Sequence, residues 1–423
     1  MLEWIITILY TLSLGYLLLF SIGQLHLTLI YRREKRNKYP AVPAEGFEPL
    51  ITIQLPVYNE KYVVERLIDA VVKIDYPREK MEIQILDDST DETSGIIYQK
   101  LDWLKRLKVD MKHIRRDSRE GYKAGALKEG LLSAKGDFIA IFDSDFVPDR
   151  DFLKKTLPYF IDPNVGVVQT RWGHINKDYS LITQLQAFGL DAHFSIEQSA
   201  RNDVGSFINF NGTCGVWRKA CIMDAGGWSA DTLTEDLDLS YRAQLKGWRF
   251  QYLEDVVTPG ELPVVMPVIK LQQYRWNKGA AETARKLIGK VIKSDLAFVQ
   301  KIHAFLHLFN SSVFVALFLA AVLSFPMLFI KNTHPAIHLL FNIGIAFLLG
   351  FFSVAIFYWT ATERFYEKPG RKFFIMFPAF LIVSMGLSLH NSLAVIEGWL
   401  GIKTPFMRTP KFNIVRKRDP WLD

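Results

Sequence analysis

Pairs of aspartates follow two short apolar runs in this sequence. "FDSD" places Asp143 and Asp145 one residue apart after "DFIAI", and "LDDS" places Asp87 and Asp88 after "MEIQI". Crowded carboxylates repel one another unless a cation joins them. Mg²⁺ and Mn²⁺ take oxygen ligands, and Mg²⁺ is usually held by one or two carboxylates together with substrate phosphates. Asp143 and Asp145 are therefore candidate ligands of Mg²⁺ or Mn²⁺ beside a bound phosphate.

The alternative for an isolated D-x-D is a polar turn closed by Asx hydrogen bonds, and that alternative is the commoner one. Here a third polar cluster, Tyr58, Asn59 and Glu60, follows another apolar run, "ITIQLPV". The carboxyl ends of parallel strands line one crevice, where ligands bind in α/β proteins. Three polar strand ends in one crevice favour the metal site over the turn.

The stretch "REGYKAGALKEG" holds Lys123 in a glycine-flanked turn that leads into a predicted helix. A lysine in such a turn suits a phosphate or a nucleotide carbonyl. Taken alone, an ordinary solvated lysine is the favoured interpretation.

Two helical motifs carry further candidates. In "TEDLDLSYRAQLKGW", Glu235 and Asp236 follow a possible N-cap, Thr234. Either the helix dipole simply favours acids in this first turn, or one of the two carboxylates faces the crevice as a general base. In "QQYRW", Gln272, Arg275 and Trp276 share one helix face. A cation beside an indole suits an anionic group and a sugar ring.

The elements that must position these residues alternate between strands and helices. Each of the three polar clusters follows an apolar run that is a predicted strand, and Pro56 is expected to end the first strand. Between these strands lie stretches whose apolar residues have helical spacing, such as "YVVERLIDAVVKI". A fourth strand is predicted over "VGVVQTRW". This alternation predicts a mostly parallel sheet with helices on both faces.

Four apolar stretches lack Asp, Glu, Lys and Arg, and each exceeds the roughly 20 residues that a membrane helix needs. They cover residues 4–31, 302–330, 332–362 and 373–396 of the 423-residue chain. We expect a retained helix at 1–31, a catalytic domain at 45–260, interfacial helices at 261–300, membrane helices at 301–400 and a basic tail at 401–423. Basic residues after the first helix place the catalytic domain in the cytoplasm by the positive-inside rule. The side of the basic tail is left open.

The net charge and the two cysteines help to exclude some classes of function. The net charge is +7, but the basic residues gather near predicted membrane edges, so we expect no nucleic-acid partner. Cys214 and Cys221 form no metal pattern and no disulfide framework, as expected for reduced thiols.

Together, "LDDS", "FDSD", "TED" and "QQYRW" resemble the ordered motifs of processive family 2 glycosyltransferases, the polysaccharide synthases. "VVQTRWGHINKDYSLITQLQ" and "FINFNGTCGVWRKACIMDAGGW" are most similar to the plant cellulose-synthase-like A and C proteins, mannan and glucan synthases, and to their bacterial relatives. The resemblance implies an α/β fold, namely a cytosolic GT-A (Rossmann-like) glycosyltransferase domain combined with an α-helical transmembrane bundle. Each motif alone is weak, whereas the ordered set is specific.

The resemblance also implies a role for each matching residue. Tyr58 would stack on the base, Glu60 and Asp88 would lie near the nucleoside, and Asp143 and Asp145 would hold the diphosphate through Mg²⁺ or Mn²⁺. Asp236, beside Glu235, would be the base. The remaining expected residues fall into two sets. Those expected to bind the nucleotide-sugar donor are Pro56, Asp87, Lys123, Gln272 and Arg275. Those expected to bind the acceptor are Asn211, Gly212, Thr213 and Trp276.

The implied reaction is inverting transfer of a hexose from UDP-glucose or GDP-mannose onto a growing β-linked glucan, mannan or glucomannan. The expected partners are the nucleotide sugar, the glycan acceptor and the lipid bilayer of a plasma or inner membrane, with translocation of the product between the helices. A homo-oligomer is left open. The alternatives are transfer of one sugar to a lipid such as ceramide or polyprenyl phosphate, and an inactive transport or scaffold protein.

Overall fold

The structure, a computed structural model, describes residues 1–33, 46–105, 110–343 and 347–420 and contains a seven-stranded mixed sheet. The strand order is β3-β2-β1-β4-β6-β5-β7, and β6 runs antiparallel to both neighbours while the other pairs are parallel. The strands are β1 Ile51–Val57, β2 Met81–Asp87, β3 Asp110–Arg115, β4 Phe138–Ile141, β5 Val165–His174, β6 Gly215–Arg218 and β7 Arg249–Gly260.

Both faces of the central strands β1 and β2 are buried, although apolar and polar residues alternate along them. On β1, Ile53 and Leu55 are fully buried in the larger apolar core. The polar positions are buried too, and Gln54 donates from Nε2 to the side-chain oxygen of Gln84 at 3.0 Å. This cross-strand bond pairs the Gln54 amide nitrogen with the Gln84 oxygen, two polar atoms that would otherwise be costly to bury.

Besides the strands, the described residues form sixteen α-helices. They are α1 Leu2–Arg33, α2 Val64–Val72, α3 Thr93–Leu104, α4 Tyr122–Ser133, α5 Phe152–Thr156, α6 Leu181–Ala192, α7 Gln198–Asp203, α8 Lys219–Asp224, α9 Glu235–Leu245, α10 Met266–Lys293, α11 Phe298–Leu308, α12 Val313–Ile330, α13 Pro335–Ile343, α14 Leu348–Phe365, α15 Pro369–Gly386 and α16 Ser388–Leu400.

The chain divides into two compact units. The helical unit comprises Met1–Lys35, Phe188–Val204 and Gln273–Pro405; the sheet unit comprises Arg36–Ala187, Gly205–Gln272 and Phe406–Asp423. The C-terminal tail from Phe406 onward thus belongs to the unit that holds the sheet. Within the helical unit, α1 packs against α12 and α14.

Two helical segments among the described residues are long and apolar enough to cross a membrane, Leu2–Arg33 and Asn310–Ile330. Counting α15 and α16, which bend by 52° at their junction, as one span gives a third. The predicted span over residues 332–362 includes residues 344–346, which lie outside the described ranges. The described residues thus contain two or three candidate spans, and the four-stretch arrangement stays a prediction.

The predicted strands are present, with two differences. β1 ends at Val57, one residue beyond Pro56, because a proline carbonyl still accepts a ladder bond. The sheet is mixed, with three strands, β3, β6 and β7, that the sequence analysis did not identify. β3 is a polar edge strand without an apolar run, so hydrophobic patterning gave no signal for it.

Candidate active site

Lys123, in the first turn of α4, joins three of the predicted motifs. Its Nζ lies 2.5 Å from Oδ1 of Asp143 and 3.9 Å from Oε1 of Glu235, and it donates to the carbonyl of Gly212 at 2.9 Å. Burial lowers the pKa of Lys123, but the charges of Asp143 and Glu235 outweigh burial and raise it overall. The ammonium group therefore stays charged between two motifs that carry carboxylates.

Gly212 lets the backbone approach this cluster closely. Its φ is +81°, and a Cβ at this position would lie 3.1 Å from Oδ2 of Asp236 and 3.5 Å from Nζ of Lys123. Only glycine adopts this conformation without strain and leaves that space open. Asp236 and Lys123 consequently lie on the same side of the Gly212 loop.

Asp236, in the first turn of α9, has an unusual protonation equilibrium. Burial raises its pKa from 3.8 to about 7, with a further contribution from the neighbouring charge of Glu235, although Lys123 opposes the shift. The backbone N–H of Leu237 donates to Oδ1 at 2.9 Å and orients the carboxyl group. A carboxyl group with a pKa near neutral pH suits general base catalysis.

The loop of Asn211 to Thr213 supports the end of β4. The backbone N–H of Asp143 donates to the hydroxyl oxygen of Thr213 at 2.8 Å, and the backbone N–H of Asn211 donates to Gln169 at 3.0 Å. Thr213 is fully buried. The loop thus fixes the position of Asp143, and its expected contact with an acceptor stays a prediction.

Asp145 is bound by the C-terminal tail, which sequence reasoning did not connect with the site. Nζ of Lys411 lies 2.7 Å from Oδ2 of Asp145 and also donates to the carbonyl of Glu261 at 2.5 Å. The backbone N–H of Glu261 donates to the same Asp145 oxygen at 3.2 Å. The cation that lies against Asp145 in this structure is therefore a lysine of the chain itself, and the divalent cation stays a prediction.

Two further residues of the tail contact the same edge of the sheet. Nη1 of Arg408 lies 3.3 Å from Oε1 of Glu60, and the ring of Phe406 stacks on Tyr122 with centroids 5.6 Å apart. Burial raises the pKa of Glu60 to about 8; Arg408 opposes this rise, and the charge of Asp145 adds to it. The alternation of basic residues and proline in "MRTPKF" was the available signal for a segment that pairs with acids.

The expected base-stacking residue, Tyr58, is covered by a cation. The guanidinium carbon of Arg119 lies 3.3 Å from the centroid of the Tyr58 ring. Nearby, Arg116 donates to both carboxylate oxygens of Asp88, from Nε to Oδ1 at 3.0 Å and from Nη2 to Oδ2 at 2.5 Å. Arg116 and Arg119 were not predicted, although both stand in the basic stretch just before the glycine-flanked turn.

Asp87 is not brought into the crevice. It is buried and accepts hydrogen bonds from the Ser89 backbone N–H and the Ser94 hydroxyl, and its carboxylate lies 2.8 Å from His113. Burial alone would raise its pKa, but these hydrogen bonds lower it to about 2. Pro56 lies inside β1, paired with Leu86.

The three residues of the predicted "QQYRW" face lie on α10 and are partly buried. At 100° per residue, Gln272, Arg275 and Trp276 fall within about 100° of one another around the helix. Gln272 belongs to the sheet unit, whereas Arg275 and Trp276 belong to the helical unit.

The aspartates of the D-x-D motif fit a divalent cation. Among the described residues, no group of three or more His, Cys, Asp or Glu side chains converges as a complete metal cage. Mg²⁺ and similar ions commonly use one or two protein carboxylates and complete their shell with phosphate and water. Asp143 and Asp145 each already hold an ammonium group, at 2.5 and 2.7 Å, so both carboxylates attract cations.

Comparison with known families agrees with this arrangement. The family described as "Glycosyltransferase like family 2" matches residues 49–279, more than half of the chain, including the acidic strand ends and the "QQYRW" motif.

Among known proteins, glucomannan 4-β-mannosyltransferase 7 of Arabidopsis thaliana is 42% identical over 252 residues, which are 58% of this chain and 45% of that protein. Glucomannan 4-β-mannosyltransferase 1 of Cyamopsis tetragonoloba is 44% identical over 252 residues, which are 58% of this chain and 47% of that protein. The chain spans about half the length of the curated relatives that it matches.

Among solved structures, the mannosyltransferase PcManGT from Pyrobaculum calidifontis, in complex with GDP-Man and Mn²⁺, is similar with a TM-score of 0.60. The match covers 92% of this chain and 99% of that one at 20% identity. At this identity the similarity establishes the GT-A glycosyltransferase fold.

Proposed function

Because the chain belongs to glycosyltransferase family 2, we propose that it is an inverting hexosyltransferase that elongates a β-linked mannan, glucan or glucomannan. The observation that carries the proposal is the cluster at Lys123. In this cluster the ammonium group of Lys123 lies 2.5 Å from Asp143, a candidate metal ligand, and beside the Gly212 loop, which also borders Asp236, a carboxyl group whose pKa is raised to about 7.

The proposed donor is GDP-mannose, with GDP-glucose or UDP-glucose as the other hexose donors to test. Two relatives above 40% identity are named as glucomannan 4-β-mannosyltransferases, and the similar structure from Pyrobaculum calidifontis is a complex with GDP-Man. The base would lie near Tyr58, where Arg119 stacks now, with Glu60 and Asp88 at the edge of the nucleoside site.

Asp143 and Asp145 would hold Mg²⁺ or Mn²⁺ together with the diphosphate. A bound divalent cation supplies charge stabilisation for the departing nucleoside diphosphate. Lys123 adds a fixed positive charge beside Asp143, where negative charge grows on the leaving group. We also assign Gln272 and Arg275 to the diphosphate.

Asp236 is the proposed base that takes the proton from the acceptor hydroxyl. A positioned base typically accelerates such a step by about 10²–10⁴-fold. The hydroxyl oxygen forms the new bond to the anomeric carbon as the sugar–phosphate bond breaks on the opposite face. An α-linked donor therefore gives a β-linked product. Trp276 would stack on the acceptor sugar, and the Asn211–Thr213 loop would border it.

The helical unit is proposed to lie in the membrane with the sheet unit in the cytoplasm. Two or three helices are apolar and long enough to span, and Arg32 and Arg33 at the end of α1 favour the cytoplasmic side. The tail belongs to the sheet unit, so we place it in the cytoplasm as well. Passage of the product between the helices is part of the proposal.

Incubation of the purified full-length chain with GDP-mannose, GDP-glucose, UDP-glucose and UDP-N-acetylglucosamine, each with Mg²⁺ or Mn²⁺, tests this function. Free nucleotide and radiolabelled product would be measured together. We expect nucleotide release with a hexose donor and an alkali-stable polymer that β-mannanase or β-glucanase digests. If the only product is one sugar on an organic-soluble lipid, the proposed elongation of a glycan is refuted. If no donor releases nucleotide, the proposed glycosyltransferase activity is refuted.

A further inference from the structure

A buried ion pair joins the middle of α10 to α16. Nζ of Lys278 lies 3.1 Å from Oε2 of Glu397, and the hydroxyl of Tyr274 donates to the same oxygen. Lys278 is fully buried, whereas the side chain of Glu397 is 31% exposed. We call Tyr274, Lys278 and Glu397 the α10–α16 cluster, and all three residues belong to the helical unit.

Tyr274 supports the ion pair from the neighbouring turn of α10. Burial raises the pKa of Tyr274 to about 12, and the hydrogen bond to Glu397 adds to this rise. The phenol therefore keeps its proton at neutral pH and remains a hydrogen-bond donor to the carboxylate. The Tyr274 ring centroid also lies 5.6 Å from Nζ of Lys278, within the range of a cation–π contact. Each member of the cluster thus contacts the other two.

The two helices approach each other closely beside this cluster. A Cβ at Gly398 of α16 would lie only 2.7 Å from the carbonyl oxygen of Lys278. Further along α10, Nη1 of Arg285 donates to the carbonyl oxygen of Trp399 at 3.3 Å. The contact with α16 therefore extends along α10 beyond the ion pair, and the position of α10 depends on it.

The cluster and Trp276 lie on nearly opposite sides of α10. At about 100° per residue, Tyr274 and Lys278 fall roughly 40° apart around the helix, and Trp276 lies about 160° from both. Arg275 lies between them, roughly 60° from Lys278 and 100° from Trp276. Holding Tyr274 and Lys278 against α16 therefore fixes the direction in which Arg275 and Trp276 leave the helix.

Stability alone is a weak reason for such a pair. Desolvation of the buried Lys278 charge offsets much of its attraction to Glu397, and an apolar pair of similar size often holds two helices as well. An ion pair differs because rotation of one helix leaves a buried charge without its partner. A rotation of α10 by about 10° would move atoms roughly 6 Å from its axis by about 1 Å. An error of that size can lower the rate of a reaction by about 100-fold.

We propose that the α10–α16 cluster fixes the rotation of α10 and thereby places Arg275 and Trp276 for sugar transfer. The members of the cluster are positioning residues, because they act through the neighbouring motif and not on the substrates. The inference rests on the proposed function, which assigns the diphosphate to Arg275 and the acceptor sugar to Trp276.

Kinetics of the purified full-length chain test the cluster, with GDP-mannose or UDP-glucose as the donor and a matching β-linked oligosaccharide as the acceptor. Glu397→Gln and the double variant Glu397→Gln/Lys278→Met should each lower kcat/KM for the acceptor at least about tenfold. The double variant leaves no unpaired buried charge, so its stability should approach that of wild type. Activity that returns together with stability would overturn the proposal. Glu363→Gln is the matched control, because Glu363 forms an exposed ion pair with Arg32 in the same unit, and its kcat/KM should stay within about twofold of wild type.

A double-mutant cycle with Trp276→Ala separates positioning from general support of the fold. Because the cluster acts through Trp276, the combined loss in kcat/KM should be at least about threefold smaller than the product of the separate losses. Losses that simply multiply would overturn the proposal.

Hydrogen exchange separates the failure of this inference from the failure of the proposed function. The backbone amides of residues 272–276 should exchange faster in the double variant Glu397→Gln/Lys278→Met than in wild type and in Glu363→Gln. Equal exchange in all three proteins would overturn the proposal, because α10 would then keep its position without the cluster. If wild type releases no nucleotide with any donor, the proposed function is refuted, while faster exchange in the double variant would still support the fixed rotation of α10.

Discussion

Replacing Asp236 by Asn should have opposite effects on activity and stability. The amide cannot accept the proton of the acceptor hydroxyl, so we expect the turnover rate to fall by about 10²–10⁴-fold. That loss corresponds to about 2.7–5.4 kcal/mol at 1.36 kcal/mol per factor of ten. The affinity for the nucleotide sugar should change little, because the lost group acts on the acceptor.

The stability effect follows from the raised pKa. The folded-state pKa of Asp236 is about 7 against 3.8 for an ordinary aspartate, so the folded chain binds the proton more tightly than the unfolded chain. Ionising Asp236 therefore costs increasing stability as the pH rises from about 4 to 7, and the full cost applies above 7. At roughly 1.4 kcal/mol per pKa unit, the ceiling is about 4 kcal/mol. Asp236→Asn should accordingly unfold at a higher temperature than wild type at pH 8, and this difference should disappear near pH 4.

Nucleotide release against pH, donor affinity by calorimetry and thermal unfolding measure these effects. For wild type, we expect the rate of nucleotide release to rise tenfold per pH unit below about pH 7 and then to level off. The residual rate of the variant should not show this rise with pH. Asp117→Asn, at an exposed position outside the cluster, is the control. Near-normal turnover by Asp236→Asn would remove Asp236 from the role of base. Lower stability at pH 8 would refute the inferred cost of its ionisation.

Two other predictions concern the pairs at Lys411 and Glu397. Lys411→Met removes the lysine that competes with a metal ion for Asp145. Because a hydrogen bond to a charged group contributes about 1.5–3 kcal/mol, the Mn²⁺ concentration that gives the half-maximal rate should fall at least about tenfold. An unchanged concentration would show that the lysine and the metal ion do not compete. Glu397→Gln leaves the fully buried Lys278, 3.1 Å away, without a carboxylate partner. Denaturant titration should therefore show that the free energy of unfolding falls by roughly 2–3 kcal/mol. This loss is smaller than for a fully buried ion pair because Glu397 is partly exposed. Adding Lys278→Met should recover most of that loss, and equal stability of the single and double variants would contradict it.

The strand ends could be predicted from sequence because burial and chain direction both leave local signals. An apolar run followed by acid marks the carboxyl end of a buried strand, and this pattern located Asp88, Asp143 and Asp145 correctly at the ends of β2 and β4. Hydrophobic spacing likewise identified α2, whose buried residues fall on one face.

The partners of those acids could not be predicted, because they come from elements without such a signal. Asp145 meets Lys411 across 266 residues of sequence, and the position of the tail depends on the path of the whole chain. The polar edge strand β3 carries His113, which covers Asp87 and explains why that aspartate is buried rather than accessible. Patterning thus locates acids at strand ends, whereas three-dimensional packing decides which of them are buried and which partners they have.

Electron paramagnetic resonance of Mn²⁺ tests the central claim most directly, namely that Asp143 and Asp145 bind a divalent cation together with a nucleoside diphosphate. We predict that GDP or UDP increases the amount of Mn²⁺ bound to the full-length chain to about one ion, and that Asp145→Asn abolishes this increase. Mn²⁺ binding that is unaffected by the nucleotide, or equal in wild type and Asp145→Asn, would contradict the account.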